Sequence, residues 1–263
     1  MEPGLYSLSR REIVRMGVAG VGASLLSACQ VFKGAEAPTE TPLLSPVILT
    51  RVSAATGSTV LGSSVPYSSS GQEAFMYVPA GYKATVPTAF MLVFHPENTT
   101  AFAGISLFQA HADAANIVLL SVDSYGTTWD YFINENYGLD VQFTNAALQA
   151  AFKVVNVDSA RVAVAGFSDG GTYALTVGRT NGDMFSHVLA FSPSVMLPYT
   201  TKGSPKFFIS QGLNDTIDDP TNSGRFITSK LTAAGYTVDY VEFNGAHEIP
   251  DSIVVQGLAF LAN

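Results

Sequence analysis

Short apolar runs and amphipathic stretches take turns along most of this chain. Residues 89–95 (AFMLVFH), 117–122 (IVLLSV), 187–191 (HVLAF) and 206–210 (KFFIS) are too short for helices. Their nearly continuous apolar character predicts strands buried on both faces. Residues 73–79 (EAFMYVP), 162–165 (VAVA) and 237–243 (TVDYVEF) supply three more. Between them lie stretches of helical spacing at 104–115, 139–155, after 170, at 222–234 and at 251–261. In 139–155, Val141, Leu148, Phe152 and Val155 fall on one stripe. Gly235 stands just past 222–234, where a helix often ends in a left-handed residue. Strands alternating with helices predict an α/β fold, a three-layer sandwich around a mainly parallel central sheet. Residues 53–71, rich in Ser, Thr and Gly, predict the turns and strand ends of an antiparallel edge.

The first fifty residues follow a different pattern. Residues 9–15 (SRREIVR) resemble a twin-arginine export signal. An apolar run over 16–28 follows, too short to span a bilayer as a helix. It ends in Leu26-Ser27-Ala28-Cys29, which resembles the processing box of a bacterial lipoprotein. Cys29 is the only cysteine, so no intramolecular disulfide can form, and the thiol stands where such a box requires it. Pro38, Pro42 and Pro46 lie among Thr, Ser, Ala and Glu, with no apolar period, and read as a tether. The expected organisation is a signal over 1–28, a flexible tether over 29–49 and a catalytic domain over 50–263. The protein is expected to be exported and held at the cell envelope by lipid on Cys29.

Composition narrows this a little further. Of 263 residues, 47% are hydrophobic and 13% charged, enough for one large buried core. The net charge is −8 and no basic block follows Arg15, which argues against a nucleic-acid partner. The sequence has no His-Glu-x-x-His, no cysteine cluster and no dinucleotide-type glycine loop. Neither a metal nor a cofactor is expected.

Candidate chemistry begins at residues 166–170, Gly-Phe-Ser-Asp-Gly, which follow the 162–165 strand and open a helix of small residues. Strand, Gly-x-Ser-x-Gly and helix together make a nucleophile elbow, a tight turn that lifts the Ser168 hydroxyl above the sheet edge. A serine hydroxyl is a weak nucleophile and needs a base, which in turn needs an orienting acid. On such elbows the acid and the histidine follow the serine in that order. Asp215 comes just after the 206–210 strand, and His247 just after 237–243. Both therefore fall at the carboxyl ends of strands, the edge where open α/β sheets bind ligands. Asp218 and Asp219 are near enough to compete with Asp215. The oxyanion formed on attack needs donors, expected from the backbone N–H groups of Asp169 and Glu97. Pro96 has no N–H to offer. The loop over 124–137 holds Tyr125, Trp129, Tyr131, Phe132 and Tyr137. It reads either as a pocket wall or partial lid, or as aromatics packing the loop onto its own domain. His95, Tyr125, Trp129 and Phe167 are the expected lining of a substrate pocket.

The segments YVPAGY (77–82), FHPEN (94–98), VDSARVAVAGFSDGGTYAL (157–175), ISQGLNDTI (209–217) and FNGAHEIP (243–250) carry a resemblance. From about residue 73 onward the chain resembles the serine esterases of the α/β-hydrolase superfamily. It is most similar to the phospholipase/carboxylesterase and polyhydroxybutyrate-depolymerase-like groups. The resemblance implies the α/β-hydrolase fold and hydrolysis of small or polymeric carboxylic esters through an acyl-enzyme, with Ser168, Asp215 and His247 as the triad. Two positions depart from it. His95-Pro96 and Gln211-Gly212 stand where His-Gly is usual. The first bears on the oxyanion loop; the second is expected to be harmless. Two other readings remain open: a non-catalytic binding lipoprotein on a hydrolase fold, and a peptidase or acyltransferase using the same triad.

Overall fold

The computed structural model describes residues 65–69, 71–135, 137–197 and 200–262. The twin-arginine stretch, Cys29, the tether and most of the serine-rich stretch over 53–71 lie outside the described residues. Eight strands form one sheet: β1 (Val65–Ser69), β2 (Gln72–Tyr77), β3 (Thr88–Phe94), β4 (Ile117–Val122), β5 (Val157–Phe167), β6 (His187–Phe191), β7 (Lys206–Gly212) and β8 (Val238–Phe243). Their spatial order is β1-β2-β4-β3-β5-β6-β7-β8. The β1–β2 and β2–β4 pairs are antiparallel, and every other pair is parallel. The helices are α1 (Ala101–Ala115), α2 (Asp130–Asn134), α3 (Leu139–Phe152), α4 (Asp169–Thr180), α5 (Gly224–Ala233) and α6 (Asp251–Phe260).

Side chains alternate across a strand, so each central strand feeds two apolar layers. Phe90, Leu92 and Phe94 of β3 pack with Val141 and Leu148 of α3, Tyr173 and Val177 of α4, and Ile227 and Leu231 of α5. Ala89, Met91 and Val93 face the other way, onto Ile105 and Phe108 of α1 and Ile253 and Leu258 of α6. Every residue of β3, β4 and β6 is buried, as continuous apolar runs require.

Several elements differ from the sequence expectation, among them the helix expected over 139–155, which ends at Phe152 and leaves Val155 beyond it. Strand β5 begins at Val157 rather than 162: Val157 pairs with Thr88, and the register with β3 then shifts so that Val162 faces Phe90, the polar residues between forming a bulge in which Arg161 Nε donates to Asp158 Oδ2 at 2.8 Å. Helix α1 begins at Ala101 rather than 104. Its start is capped from outside, the Ala101 N–H donating to Asp123 Oδ1 at 2.6 Å, so no local capping residue marks it. The aromatic loop contains α2, a single short helix that the polar residues around it conceal. Gly235 has φ +88°, as a residue past a helix end should.

Candidate active site

The elbow forms where β5 meets α4. Ser168 has φ +57° and ψ −120°, a conformation that side-chain-bearing residues seldom adopt, and it is held by its surroundings. Its N–H donates to the Phe191 carbonyl at 3.0 Å, and its own carbonyl accepts from Thr172 N–H at 3.0 Å. The flanking glycines are needed for space. A Cβ on Gly166 would lie 2.3 Å from the Gly170 carbonyl oxygen, and one on Gly170 would lie 2.1 Å from that of Phe94. The obstacles are main-chain atoms, which cannot swing aside.

Asp215 and His247 arrive on two neighbouring loops. After β7 the chain reaches Asp215, and after β8 it reaches His247. The loops are laced together by backbone bonds, Leu213 N–H to Phe243 O and Asn214 N–H to Gly245 O, both 2.9 Å. His247 Nδ1 lies 2.7 Å from Asp215 Oδ2, so Nδ1 carries the proton and Nε2 keeps its lone pair. The other oxygen of Asp215 accepts the N–H groups of Ile217 (2.9 Å) and Asp218 (2.8 Å). The imidazole rests on Phe167, ring centroids 4.8 Å apart, and Phe167 immediately precedes Ser168. Of the competing acids, Asp218 Oδ2 is 3.8 Å from His247 Nδ1, and Asp219 caps the N–H groups of Thr221 and Asn222.

The turn after β3 is built around a buried histidine. His95 is fully buried; its Nδ1–H donates to the Pro96 carbonyl at 2.8 Å, and its Nε2 accepts from Ser124 N–H at 3.0 Å. Burial pushes its pKa down, in keeping with a neutral ring. Glu97 follows in the turn, ahead of Asn98, whose φ is +58° and whose N–H donates to Thr127 O at 2.7 Å. Asp169 opens α4, and its side chain accepts from Thr128 Oγ1 at 2.8 Å, so its carboxylate is engaged away from the oxyanion position.

Two expected pocket residues are corrected. Trp129 is wholly buried. It stacks on Tyr173 at 4.8 Å, meets Phe94 edge-on at 4.6 Å and donates Nε1–H to the His95 carbonyl at 3.1 Å. A ring enclosed on these sides supports the turn from beneath instead of lining a pocket, so the loop aromatics do the packing. His95, equally buried, braces the same turn. Tyr125, 63% exposed, stands open on the rim, and Phe167 is half-buried against His247.

The local sequence pattern also hides a buried acid pair. Asp140 accepts the N–H of Tyr125 (2.5 Å) and of Asp130 (2.6 Å), while Asp130 accepts those of Gly138 (2.6 Å) and Asp140 (3.2 Å) and the Tyr173 hydroxyl (3.2 Å). Each carboxylate caps the start of the other's helix, which ties the aromatic loop to the elbow helix α4. Nothing nearby in the chain marks two aspartates ten residues apart as partners. A cavity of about 370 Å³, bordered by Ala89, His111, Ile117, Arg161 and Leu258, opens at the amino ends of the parallel strands, the edge opposite Ser168. Among the described residues no group of three or more His, Cys, Asp or Glu side chains is arranged to hold a metal ion.

A family model described as a putative esterase matches residues 145–226, the stretch that carries the elbow and Asp215. No curated protein matches the chain in sequence. Among solved structures, an S-formylglutathione hydrolase from Staphylococcus aureus aligns at 14% identity and TM-score 0.60, covering 76% of this chain and 98% of that one. A Bacillus cereus carboxylesterase aligns at 16% identity and TM-score 0.57, covering 73% and 94%. Dipeptidyl peptidase 4 from Porphyromonas gingivalis aligns at 16% and 0.57, covering 76% of this chain and 35% of that one. At these identities the likeness shows the fold, which is that of the α/β-hydrolases. Together with the family-model match, it supports a carboxylic ester hydrolase.

Proposed function

We propose that this chain hydrolyses carboxylic esters by a Ser168–His247–Asp215 triad. The observation that carries the reading is the 2.7 Å contact of His247 Nδ1 with Asp215, on an imidazole packed against the residue before the strained serine. His247 Nε2 takes the proton from Ser168 Oγ as that oxygen attacks the ester carbonyl. Asp215 keeps the imidazole in the required tautomer and stabilises the imidazolium. The tetrahedral oxyanion accepts the backbone N–H groups of Asp169 and Glu97. His247 then protonates the departing alcohol, leaving an acyl group on Ser168. Water, deprotonated by the same imidazole, cleaves that acyl-enzyme and restores the serine. The acyl group or polymer segment lies along the rim that includes Tyr125 and Phe167.

The N-terminal features complete the proposal: export by the twin-arginine signal and anchoring at the envelope through lipid on Cys29. Replacing Cys29 with Ala should move the protein from the membrane to the soluble fraction of the producing cell. For the chemistry, Ser168→Ala should lower kcat on p-nitrophenyl esters by about 10⁶-fold. A fluorophosphonate probe should label the native protein at Ser168 and not the variant. Full esterase activity in Ser168→Ala would end the proposal. Absence of labelling in the native protein would favour a binding lipoprotein, for which the missing N–H at Pro96 is the supporting feature.

A further inference from the structure

Gln211 is the sixth residue of β7 and lies on the same face as Phe207 and Ile209, in the layer formed by α3, α4 and α5. It is fully buried. A carboxamide in such a place is unfavourable unless it is hydrogen-bonded. Its Nε2 uses both hydrogens, donating to Asp215 Oδ2 at 2.8 Å and to the Asp218 carbonyl at 2.9 Å. Its Oε1 has no partner among the described residues. The polar work of this side chain is therefore done by the nitrogen alone, and it is aimed at the two ends of the 215–218 turn.

The target is the oxygen that meets His247. Asp215 Oδ2 accepts from Gln211 and from His247, while Oδ1 accepts two backbone N–H groups. Four donors fill the four lone-pair positions of a carboxylate and leave it no freedom to rotate. The second acid is close: Asp218, also buried, has Oδ2 3.8 Å from His247 Nδ1. A neutral amide orients the carboxylate and leaves its charge in place.

We propose that Gln211 is the positioning residue of the acid–base pair, fixing Asp215 Oδ2 against His247 and holding Asp218 out of that place. The inference rests on the triad reading above. Removing the donor lets the 215–218 turn relax and the imidazole lose its aim, a fault of the transition state more than of substrate binding. It also leaves more of the negative charge of Asp215 and Asp218 to the imidazolium, which favours the protonated ring.

The test compares Gln211→Met, similar in size and without a donor, with Gln211→His, which keeps one ring N–H. Gln211→Met should lower kcat by about 10- to 100-fold with KM within about two-fold. The acid limb of its kcat/KM profile should move up by about 0.5 pH unit or more. Gln211→His should recover most of kcat and return the limb toward the native position. A Gln211→Met enzyme with native kcat and native acid limb overturns the inference. So does one whose lowered activity is matched by a lowered fraction of protein labelled by the fluorophosphonate, with unchanged kcat per labelled site. If Gln211→Met does not fold, native kcat and acid limb in Gln211→His support the inference, and a limb moved as far as expected for Met overturns it. Asp215→Asn separates the two readings. If it too is fully active, the triad itself is wrong; if it alone is impaired, only the role of Gln211 is.

Discussion

The Asp130–Asp140 pair should make the stability of this protein fall as pH rises from the acid range toward neutrality. Asp140 is inaccessible to solvent, and burial, followed by the neighbouring Asp130, pushes its pKa from 3.8 up to about 7. Burial raises Asp130 as well, against the hydrogen bonds from Gly138, Asp140 and Tyr173 that favour its charged form. The other groups facing the pair are neutral: the Gln72 carboxamide from β2, the Tyr173 hydroxyl from α4 and the backbone of Tyr125. A carboxyl whose folded pKa is raised binds its proton more tightly in the folded state. Its stabilising contribution is complete below about pH 4 and is lost as pH climbs to about 7. Between pH 5 and pH 8 some 2 pKa units of that range are crossed, or about 3 kcal/mol at roughly 1.4 kcal/mol per unit. In a domain of this size that corresponds to about 6–12 °C in Tm. Asp140→Asn removes the titration. Its amide still offers one acceptor, but its NH₂ meets a backbone N–H that needs one, so the variant should be less stable than the native protein at pH 5. Thermal melts of both proteins from pH 5 to pH 8 check the reasoning: the native advantage should shrink by about 3 kcal/mol across the range. A difference in Tm that stays constant with pH would show that the pair is not titrating there.

Other outcomes follow from the same contacts. Gly170→Ala places a methyl 2.1 Å from the Phe94 carbonyl and 2.6 Å from that of His95, so α4 must move off β3. It should lower stability by about 1–3 kcal/mol in denaturant melts and fluorophosphonate labelling by about 100-fold, and native labelling would refute it. Trp129 is the only tryptophan and is fully enclosed, so its emission should be blue-shifted, resist acrylamide and stay unchanged when a substrate analogue saturates the site. Strong quenching by the analogue would return Trp129 to the pocket.

What the sequence disclosed and what it concealed divide along one physical line. Strands β3, β4, β6 and β7 were legible because full burial leaves runs of seven or fewer apolar residues, a pattern that half-exposed helices and loops rarely produce. The elbow was legible because two close main-chain approaches demand glycine at fixed offsets from Ser168. The roles of Asp123, Asp130, Asp140 and Gln211 were not, because each acts on a backbone group or side chain brought near only by the fold. Asp123 caps α1 from 22 residues away, and nothing near Thr100 signals it. Gln211 looked like an innocuous replacement in the strand before the acid, yet its amide is the fixed donor to Asp215. Trp129 misled for the opposite reason. An aromatic in a loop at the ligand-binding edge has the same sequence signature whether it faces substrate or the core. Only its stacking on Tyr173 decides.

The candidate site is held together chiefly by main chain. On one side Gly170 lets α4 approach the carbonyl of Phe94, which fixes Ser168 relative to the turn that carries Glu97. On the other, a Cβ on Gly212 would lie 2.1 Å from the Ala246 carbonyl, so β7 and the loop that carries His247 are in direct backbone contact. Strand β6 joins the two halves through continuous parallel ladders to β5 and β7, and near the site the Ser168 N–H to Phe191 bond, the Ser192 N–H to Ser210 bond and the contact of Phe167 with His247 add to them. Relative movement of the halves would change the serine-to-imidazole distance while leaving each half intact. One side chain that spans the two near the site is Phe167, which belongs to the elbow strand but packs on His247. That dual membership gives Phe167 a reason to be large and flat that is independent of any contact with substrate.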